Sequence, residues 1–295
     1  MKPSLASTEK VVITAAITGG QHGREANPNL PLTAEEQAQD ALDCYNAGAA
    51  VLHLHVRDEN EVNTPELKYY NKAVRMIGER TPMIRQIGNG IGVRRHEDGQ
   101  VGFATLEERF NLVDNIDPTP EMSTINAGTF GFKSALGEVV FLHPISFNVD
   151  YLARCRAKGI MGIEIEVYDT SHIANAMVLV EEGVLTPPLH FSIVLGIGGG
   201  APATPENLVH MVKQLPEGST WQVVAVGRYH VPTTMMAMAM GGNVRTGLED
   251  TVYYRKGELV KSNAQLVERM VRLAHEVGRE PATVEEARAM LLTGY

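Results

Sequence analysis

The chain is poor in the features that mark secreted and membrane proteins. It has only two cysteines, Cys44 and Cys155, in 295 residues. Both fall in segments with a helical pattern, so we interpret them as small buried residues rather than as a disulfide. No apolar run reaches the roughly 18 residues of a membrane span, and the polar first ten residues lack the apolar core of a signal peptide. These absences predict a protein of the reducing cytoplasm without a membrane partner.

Positive charge is also limited. The 26 lysines and arginines are outnumbered by 35 acidic residues, which gives a net charge of −9, and the two signs are interspersed. A polybasic face for nucleic acid is therefore not predicted, and a small molecule is the expected partner. An anionic substrate would need local cations, for which the candidates are Arg24, Arg57, Lys133 and Arg228.

Apolar, β-branched runs alternate with helical segments along the whole chain, a pattern typical of parallel βα units. Eight such runs occur, at residues 11–18, 51–57, 83–89, 121–126, 159–169, 189–196, 220–227 and 242–249. Eight repeats predict an α/β protein with a closed (β/α)8 TIM barrel, and no low-complexity linker divides it. We expect a single domain over residues 1–295, with an insertion at 130–143 and two extra C-terminal helices near 262–277 and 283–292.

Local signals place several helix ends. Capping boxes are expected at Thr33 and Thr105, where a glutamate follows three residues later. An N-cap is expected at Thr64, directly before a proline. Gly48 and Gly159 stand where glycine C-caps belong. These signals agree with the helices that the apolar pattern predicts.

The strongest chemical signal is a histidine pair in the second predicted strand. Successive side chains of a strand point to opposite faces, so His53 and His55 share one face. Two unpaired buried imidazoles lose hydration, whereas one divalent metal ion satisfies both ring nitrogens. The alternative is a pair of core histidines bonded to carbonyls or carboxylates. We favour the metal site.

A catalytic zinc site usually takes a third protein ligand and keeps one position open. Glu249 is our candidate, because it ends the eighth strand, which in a closed barrel lies close to the second. Asp250 follows it, and a charged pair with Arg245 could orient this aspartate as a general base. On the fifth strand, Glu164 and Glu166 either pair with a buried arginine or support the metal ligands from behind.

Other predicted strands also end in polar residues, and barrel enzymes place their chemistry at these C-terminal ends. The residues concerned are Gln21 and His22 after the first strand, Gly88 and Asn89 at the end of the third, and Thr124 and Asn126 in the fourth. We expect them to lie around a substrate.

Six ordered motifs resemble those of the β-keto acid cleavage enzymes. They are ITAAITG at 13–19, NPNLPLT at 27–33, HLHVRD at 53–58, EMSTINAGT at 121–129, GRYHVPT at 227–233 and RTGLED at 245–250. The resemblance runs from about residue 11 to residue 292. It implies a zinc-dependent barrel, often tetrameric, that converts a β-keto acid and acetyl-CoA into acetoacetate and a new acyl-CoA.

The motifs also imply roles for individual residues. By resemblance, His53, His55 and Glu249 are the zinc ligands, Arg245 and Asp250 are the base pair, and Thr124 contacts the substrate. Two positions depart from a family member that recognises an amine: Gln21 replaces a glutamate that pairs with the amine, and Gly88 replaces a serine. We therefore expect a neutral or anionic, somewhat bulkier tail, with Gln21, His22 and Asn89 near it.

Two other classes remain as alternatives. A metal-dependent barrel hydrolase of the amidohydrolase kind also begins with H-x-H, but it usually adds later histidines, and no H-x-H recurs here. A non-catalytic barrel could use the metal to bind a keto acid or to hold a subunit interface, but it would need no Arg245 and Asp250 pair. Cobalt, nickel or manganese could replace zinc at such a site.

Overall fold

The computed structural model describes residues 10–96 and 98–295. Its centre is a closed barrel of eight parallel strands. In chain order they are Ile13–Ala16, Val51–Leu54, Ile84–Ile87, Met122–Asn126, Gly162–Val167, His190–Leu195, Thr220–Ala225 and Asn243–Thr246. Each lies inside one of the eight predicted runs, and the last strand closes the ring by pairing with the first. The predicted (β/α)8 barrel is confirmed.

Nine α-helices occur in the described part of the chain. They are α1 (Ala34–Ala47), α2 (Leu67–Arg80), α3 (Leu106–Asn115), α4 (Ile145–Lys158), α5 (Thr170–Glu181), α6 (Pro205–Gln214), α7 (His230–Ala239), α8 (Asn263–Glu276) and α9 (Val284–Leu291). Helix α8 packs on α1 and on the first and last barrel strands, and thereby completes the outer ring. Both helices expected after the last strand are therefore present.

Helix α9 covers the bottom of the barrel. Val284, Ala287 and Leu291 share one face of α9 at a spacing of three and four residues. They pack against apolar residues at the N-terminal ends of several strands, such as Val12 and Ile84. This end of the barrel is thus closed, and access from solvent is left to the C-terminal end of the strands.

Short strands outside the barrel form four pairs. Three are hairpins that follow the third, fourth and eighth barrel strands: Arg94–Arg95 with Val101–Gly102, Phe130–Ser134 with Gly137–Phe141, and Tyr253–Arg255 with Glu258–Leu259. The fourth pair, Lys10–Val11 with Glu280–Pro281, is parallel. The second hairpin fills the predicted insertion at 130–143 and extends the C-terminal face of the barrel.

The predicted helix ends are mostly confirmed. Thr33 and Thr105 each form a capping box, and Gly48 and Gly159 are C-caps in the left-handed conformation. The prediction for Thr64 is wrong, because α2 begins only at Leu67. The Thr64 hydroxyl accepts a hydrogen bond from the backbone N of Glu66, which forms a turn and delays the first helical residue.

The two cysteines are free and fully buried, Cys44 in α1 and Cys155 in α4. Each packs as a small residue between its helix and the barrel. Among the described residues, no helix combines the length and the apolar character that a bilayer crossing needs.

A half-buried carboxyl group, that of Asp40, lies between α1 and α8. Asn263 Nδ2 donates to Asp40 Oδ2 at 2.6 Å and also to the carbonyl oxygen of Ile17. Burial raises the pKa of Asp40 from 3.8 to about 7, although the bond from Asn263 opposes the shift. Because the folded pKa lies above the unfolded one, ionised Asp40 destabilises the fold, and this penalty grows as the pH rises from about 4 to about 7.

The substitution Asp40→Asn should therefore stabilise the protein in a pH-dependent way. The amide keeps an oxygen for Asn263 but carries no buried charge. We expect the free energy of unfolding to rise by about 1–3 kcal/mol near pH 8 and by clearly less near pH 5. Urea unfolding at the two pH values measures the difference. Asp150→Asn, at an exposed position of α4, is the control; an equal gain from both variants would contradict the expectation.

Candidate active site and metal centre

The barrel brings the three predicted metal ligands together. His53 lies in the second barrel strand, His55 lies just beyond its end, and Glu249 follows the last strand. The two Nε2 atoms are 3.2 Å apart, and Glu249 Oε1 lies 3.7 and 3.8 Å from them. Tetrahedral ligands of zinc sit about 3.3 Å from one another. The three side chains therefore fit one divalent ion with small adjustments.

The hydrogen bonds of the imidazoles point to the same conclusion. His53 Nδ1 lies 2.7 Å from Gln86 Oε1, and His55 Nδ1 lies 3.4 Å from the carbonyl oxygen of Ile91. Both partners are acceptors, so both Nδ1 atoms carry the proton and both Nε2 atoms present lone pairs. Burial lowers the pKa of His55 to about 4, which keeps the ring neutral near pH 7. Two lone pairs that face each other call for a cation between them.

A buried relay fixes the orientation of His53. Gln86 Nε2 donates to Glu164 Oε2 at 2.8 Å, and His190 Nε2 lies 3.7 Å from the same oxygen. Burial would raise the pKa of Glu164, but His190 and Gln86 lower it to about 2, so the carboxylate only accepts. The amide nitrogen of Gln86 must face Glu164, and its oxygen must face His53. These contacts favour the interpretation of Glu164 as a support for the candidate metal ligand His53 over its interpretation as the partner of a buried arginine.

Arg245 holds three carboxylates. It donates to Asp250 twice, from Nη2 to Oδ1 at 2.6 Å and from Nε to Oδ2 at 3.2 Å, and to Glu249 Oε1 at 2.9 Å. Its Nη1 lies 3.8 Å from Glu166 Oε1. The predicted pair of Arg245 and Asp250 is thus present with bidentate geometry. For Glu166, the reading as the partner of a buried arginine fits the structure.

The carboxyl groups differ in basicity. Burial would raise the pKa of Glu249, but Arg245 and His53 lower it to about 2. Burial raises the pKa of Asp250 despite its contact with Arg245, and it raises the pKa of Glu166 to about 6. Neighbouring carboxylates with divergent basicity are typical of catalytic sites. Glu249 suits an anionic ligand, and Asp250 suits a base.

A cavity opens beside these groups at the C-terminal end of the barrel. It encloses about 800 Å³ free of protein atoms, open mouth included. Its polar part contains the three candidate metal ligands with Thr124, Glu166, Arg245 and Asp250. Its apolar part consists of Phe103, Phe130, Phe132, Phe141, Tyr168 and several aliphatic residues. Sequence reasoning missed this aromatic part, for which the only signal was the cluster of phenylalanines in the predicted insertion.

The structure places the predicted substrate contacts unevenly. Gln21, His22, Gly88 and Thr124 line the cavity. Asn89 and Asn126 are buried and do not line it; Asn89 Oδ1 instead lies 3.1 Å from His143 Nε2. Asn126 lies two residues beyond Thr124 in the same strand and therefore shares its inward face. The contact of both asparagines with a substrate stays a prediction.

Gly88 lies next to two of the candidate metal ligands. A Cβ atom at this position would lie 3.0 Å from His55 Nε2 and 3.3 Å from His53 Cε1. The absence of a side chain therefore gives the two rings room, and its effect on the length of the substrate tail stays a prediction.

None of the four candidate cations for an anionic tail lines this cavity. Arg24 pairs with Glu36, and Arg57 donates to the carbonyl oxygens of Gly19 and His22. Lys133 and Arg228 are exposed. Within the described part of the chain, Arg245 is the only arginine or lysine on the cavity wall.

A parallel barrel whose strand ends gather two imidazoles, a glutamate and an arginine-bound aspartate has its polar side chains where barrel enzymes place their chemistry, and three of them could hold a divalent metal ion. The chain belongs to the beta-keto acid cleavage enzyme family, whose sequence profile matches residues 10–292.

Comparisons with individual proteins agree with this assignment. The chain is similar to the 3-keto-5-aminohexanoate cleavage enzyme of Fusobacterium nucleatum, with 40% identity over 287 residues, 96% of this chain and 98% of that one. It is 31% identical over 290 residues to the 3-oxoadipate:acetyl-CoA acetyltransferase of Cupriavidus necator, with 96% and 95% covered. A solved ternary complex of ObcA with a C4-CoA adduct and oxalate superposes with a TM-score of 0.72 over 90% of this chain and 67% of that one. At 18% identity it shows the shared fold alone.

Removal of either kind of metal ligand should abolish metal binding. We expect His53→Ala and Glu249→Ala to retain less than about a tenth of the zinc of the unmodified protein after dialysis, because two ligands seldom hold zinc in competition with buffer. Elemental mass spectrometry measures the bound metal. His210→Ala, at an exposed position, is the control. Retention of zinc by Glu249→Ala would move the third ligand to Glu164 or Glu166.

The hydrogen bond from His53 to Gln86 predicts a smaller effect on zinc affinity than the loss of a ligand. Gln86→Leu should weaken zinc binding by about ten- to a hundredfold, because the proton on His53 Nδ1 loses its acceptor. Competition with a chromophoric chelator measures the affinity.

Gln222→Leu is the matched control for the relay. It also changes a buried glutamine of a barrel strand, but its partners are Thr14 and Ser192. If both variants weakened zinc binding equally, the loss would be a general effect of barrel damage.

Proposed function

We propose that this protein is a zinc-dependent β-keto acid cleavage enzyme, which converts a 3-keto acid and acetyl-CoA into acetoacetate and a new acyl-CoA. The observation that carries the proposal is Asp250, held by Arg245 next to three metal-binding side chains in one cavity. The name of the Cupriavidus necator relative, a 3-oxoadipate:acetyl-CoA acetyltransferase, supports acetyl-CoA as the second substrate.

A divalent metal held by His53, His55 and Glu249 would supply a Lewis acid for the ketone and carboxylate oxygens of the keto acid. The protein's own side chains would carry out the proton transfers. Asp250 is positioned to remove a proton from C2 of the keto acid, and the resulting enolate carbon forms a bond to the acetyl carbonyl carbon of acetyl-CoA, which releases the CoA thiolate. The thiolate then adds to the C3 carbonyl carbon, the bond between C2 and C3 breaks, and Asp250 returns its proton to C2, which gives acetoacetate and the new acyl-CoA.

Two observations support Asp250 rather than Glu249 as the base. Glu249 has the lowered pKa of a permanent anion. Asp250 faces the cavity, and Arg245 fixes the plane of its carboxylate.

Thr124 is the substrate contact that the cavity supports. Its hydroxyl oxygen accepts a bond from the backbone N of Asn89 at 3.3 Å, so its own proton is free to be donated to a substrate oxygen. Gln21 lies at the mouth and is uncharged, which supports a tail that is neutral or anionic rather than amino.

The proposal includes zinc as the metal, a homotetramer, residence in the cytoplasm and one domain over residues 1–295. Two imidazoles and one carboxylate suit zinc, and a metal assay separates it from cobalt, nickel and manganese. The assembly and the location rest on the resemblance to the family.

The decisive assay follows proton exchange at C2 of the keto acid as well as turnover. The zinc-loaded protein should form acetoacetate and new acyl-CoA from a panel of 3-keto acids, and mass spectrometry detects both. Asp250→Asn should lower the rate by about a hundredfold to ten-thousandfold, because the amide cannot accept the proton. Exchange of the C2 protons of the keto acid in D2O, measured above the rate in buffer alone, should fall equally, with bound zinc unchanged.

Asp43→Asn is the control with an exposed carboxyl group away from the cavity. If every keto acid stayed inert and the protein did not accelerate exchange of the C2 protons while zinc remained bound, the proposed reaction would be wrong. A hydrolase or a binding protein would then be the better reading of the site.

A further inference from the structure

Phenylalanine is scarce in this chain, yet it is concentrated at the candidate active site. Four of the seven phenylalanines, Phe103, Phe130, Phe132 and Phe141, line the cavity. They lie on or next to two hairpins at the C-terminal end of the barrel. Phe103 stacks on Phe141 with 3.8 Å between ring centroids, and Phe130 lies 5.7 Å from Phe132. The part of the cavity away from the polar residues is therefore an aromatic wall.

The barrel itself continues this wall. Tyr168, just beyond the fifth strand, stacks on Phe130 at 4.1 Å. Its hydroxyl is engaged by Glu166, so its ring supplies apolar surface. Val194 and Val224 extend the surface onto the sixth and seventh strands.

The charged side chains of the described cavity wall are gathered at Arg245, which the carboxylates of Glu166, Glu249 and Asp250 all face. Arg245 Nη1 makes no hydrogen bond and lies 3.8 Å from Glu166 Oε1, inside the same polar group. Gln21, at the mouth, is neutral, and His22 beside it is exposed to water. A tail with an ammonium or carboxylate group would lose its hydration against aromatic rings without gaining a partner.

Close contacts with a glycine and with a second ring fix the position of Phe141 in the aromatic wall. A Cβ atom at Gly90 would lie only 2.4 Å from Phe141 Cζ, so the ring occupies the space that any other residue would fill. Phe103 covers the other side of the same ring by stacking on it. Phe141 is thereby held in place between a glycine and a second ring.

We propose that the protein selects 3-keto acids whose tail is uncharged and apolar, ending in a phenyl ring or a branched alkyl group. The inference rests on the proposed cleavage reaction and names its substrate class. Phe103, Phe130, Phe132, Phe141 and Tyr168 are the residues that determine this specificity.

Three keto acids with tails of similar length test the proposal: 3-oxo-5-phenylpentanoate, 5-amino-3-oxohexanoate and 3-oxoadipate. We expect kcat/KM for the phenyl compound to exceed that for each charged compound by about a hundredfold or more, because the charged tails lose hydration without compensation. An equal or higher kcat/KM for either charged compound would overturn the inference.

A positive charge on the aromatic wall should shift the substrate preference towards an anionic tail. Phe132→Arg puts a guanidinium on the cavity wall at a half-exposed position of the hairpin. We expect the ratio of kcat/KM for 3-oxoadipate to that for the phenyl compound to rise by about tenfold or more. Val140→Arg adds the same charge to the outer face of the same hairpin, where the side chain is 60% exposed, and should leave the ratio unchanged.

A binding measurement keeps the test independent of the variant's folding and of turnover. In the unmodified, zinc-loaded protein, calorimetry should show that 3-phenylpropionate binds more tightly than glutarate or 4-aminobutyrate. Tighter binding of either charged compound, or a preference shift in Val140→Arg equal to that in Phe132→Arg, would contradict the assignment of the wall.

Different experimental results would contradict the inferred substrate class and the proposed reaction. Exchange of the C2 protons of a keto acid that depends on Asp250 reports the first step of the reaction, whichever tail the keto acid carries. Exchange together with a preference for a charged tail would overturn the apolar pocket alone, whereas loss of exchange with all three keto acids would overturn the reaction.

Discussion

The guanidinium of Arg245 is the charge on which the rest of the site depends. Three carboxylates, from Glu166, Glu249 and Asp250, converge on it inside the mouth of the barrel. Three negative charges and one positive charge leave two negative charges unbalanced, which is the charge of one divalent cation. In a low-dielectric site this imbalance is costly. The same electrostatics that hold Asp250 in position therefore favour a metal between His53, His55 and Glu249.

The barrel distributes chemistry and recognition between different parts of the chain. The candidate ligands, the base and the arginine lie in or next to barrel strands, whose positions are fixed by the register of a closed sheet. The aromatic wall comes largely from two hairpins that the sheet does not constrain. An aromatic wall also keeps water away from the charged groups, which strengthens every electrostatic contact among them. Recognition of the tail and the strength of the polar centre are thus physically linked.

The sequence predicted the barrel and the polar centre because both follow from simple periodicities. His53 and His55 share a face by the two-residue period of a strand, and Glu249 comes near them because an eight-stranded barrel must close. Gln86 gave no such signal. An uncharged glutamine in an apolar strand has no distinctive pattern, and its role appears only in the register, where it lies directly opposite His53 on the neighbouring strand. The alternatives for Glu164 and Glu166 also needed the structure. Glu164 contacts Gln86, and Glu166 faces Arg245.

The aromatic wall shows where sequence reasoning reaches its limit. Side chains of a two-stranded hairpin alternate between faces, so Phe130 and Phe132 on one face follow from the sequence. Which face meets the barrel depends on how the hairpin folds over the strand ends, and this is decided by close contacts such as the one between Gly90 and Phe141. A loop that folds back in this way can change its side chains without disturbing the strands below it. The physical consequence is that the proposed tail contacts can vary among barrels that keep the same ligands and base, since the hairpins supply neither of these and affect the polar centre through the exclusion of water.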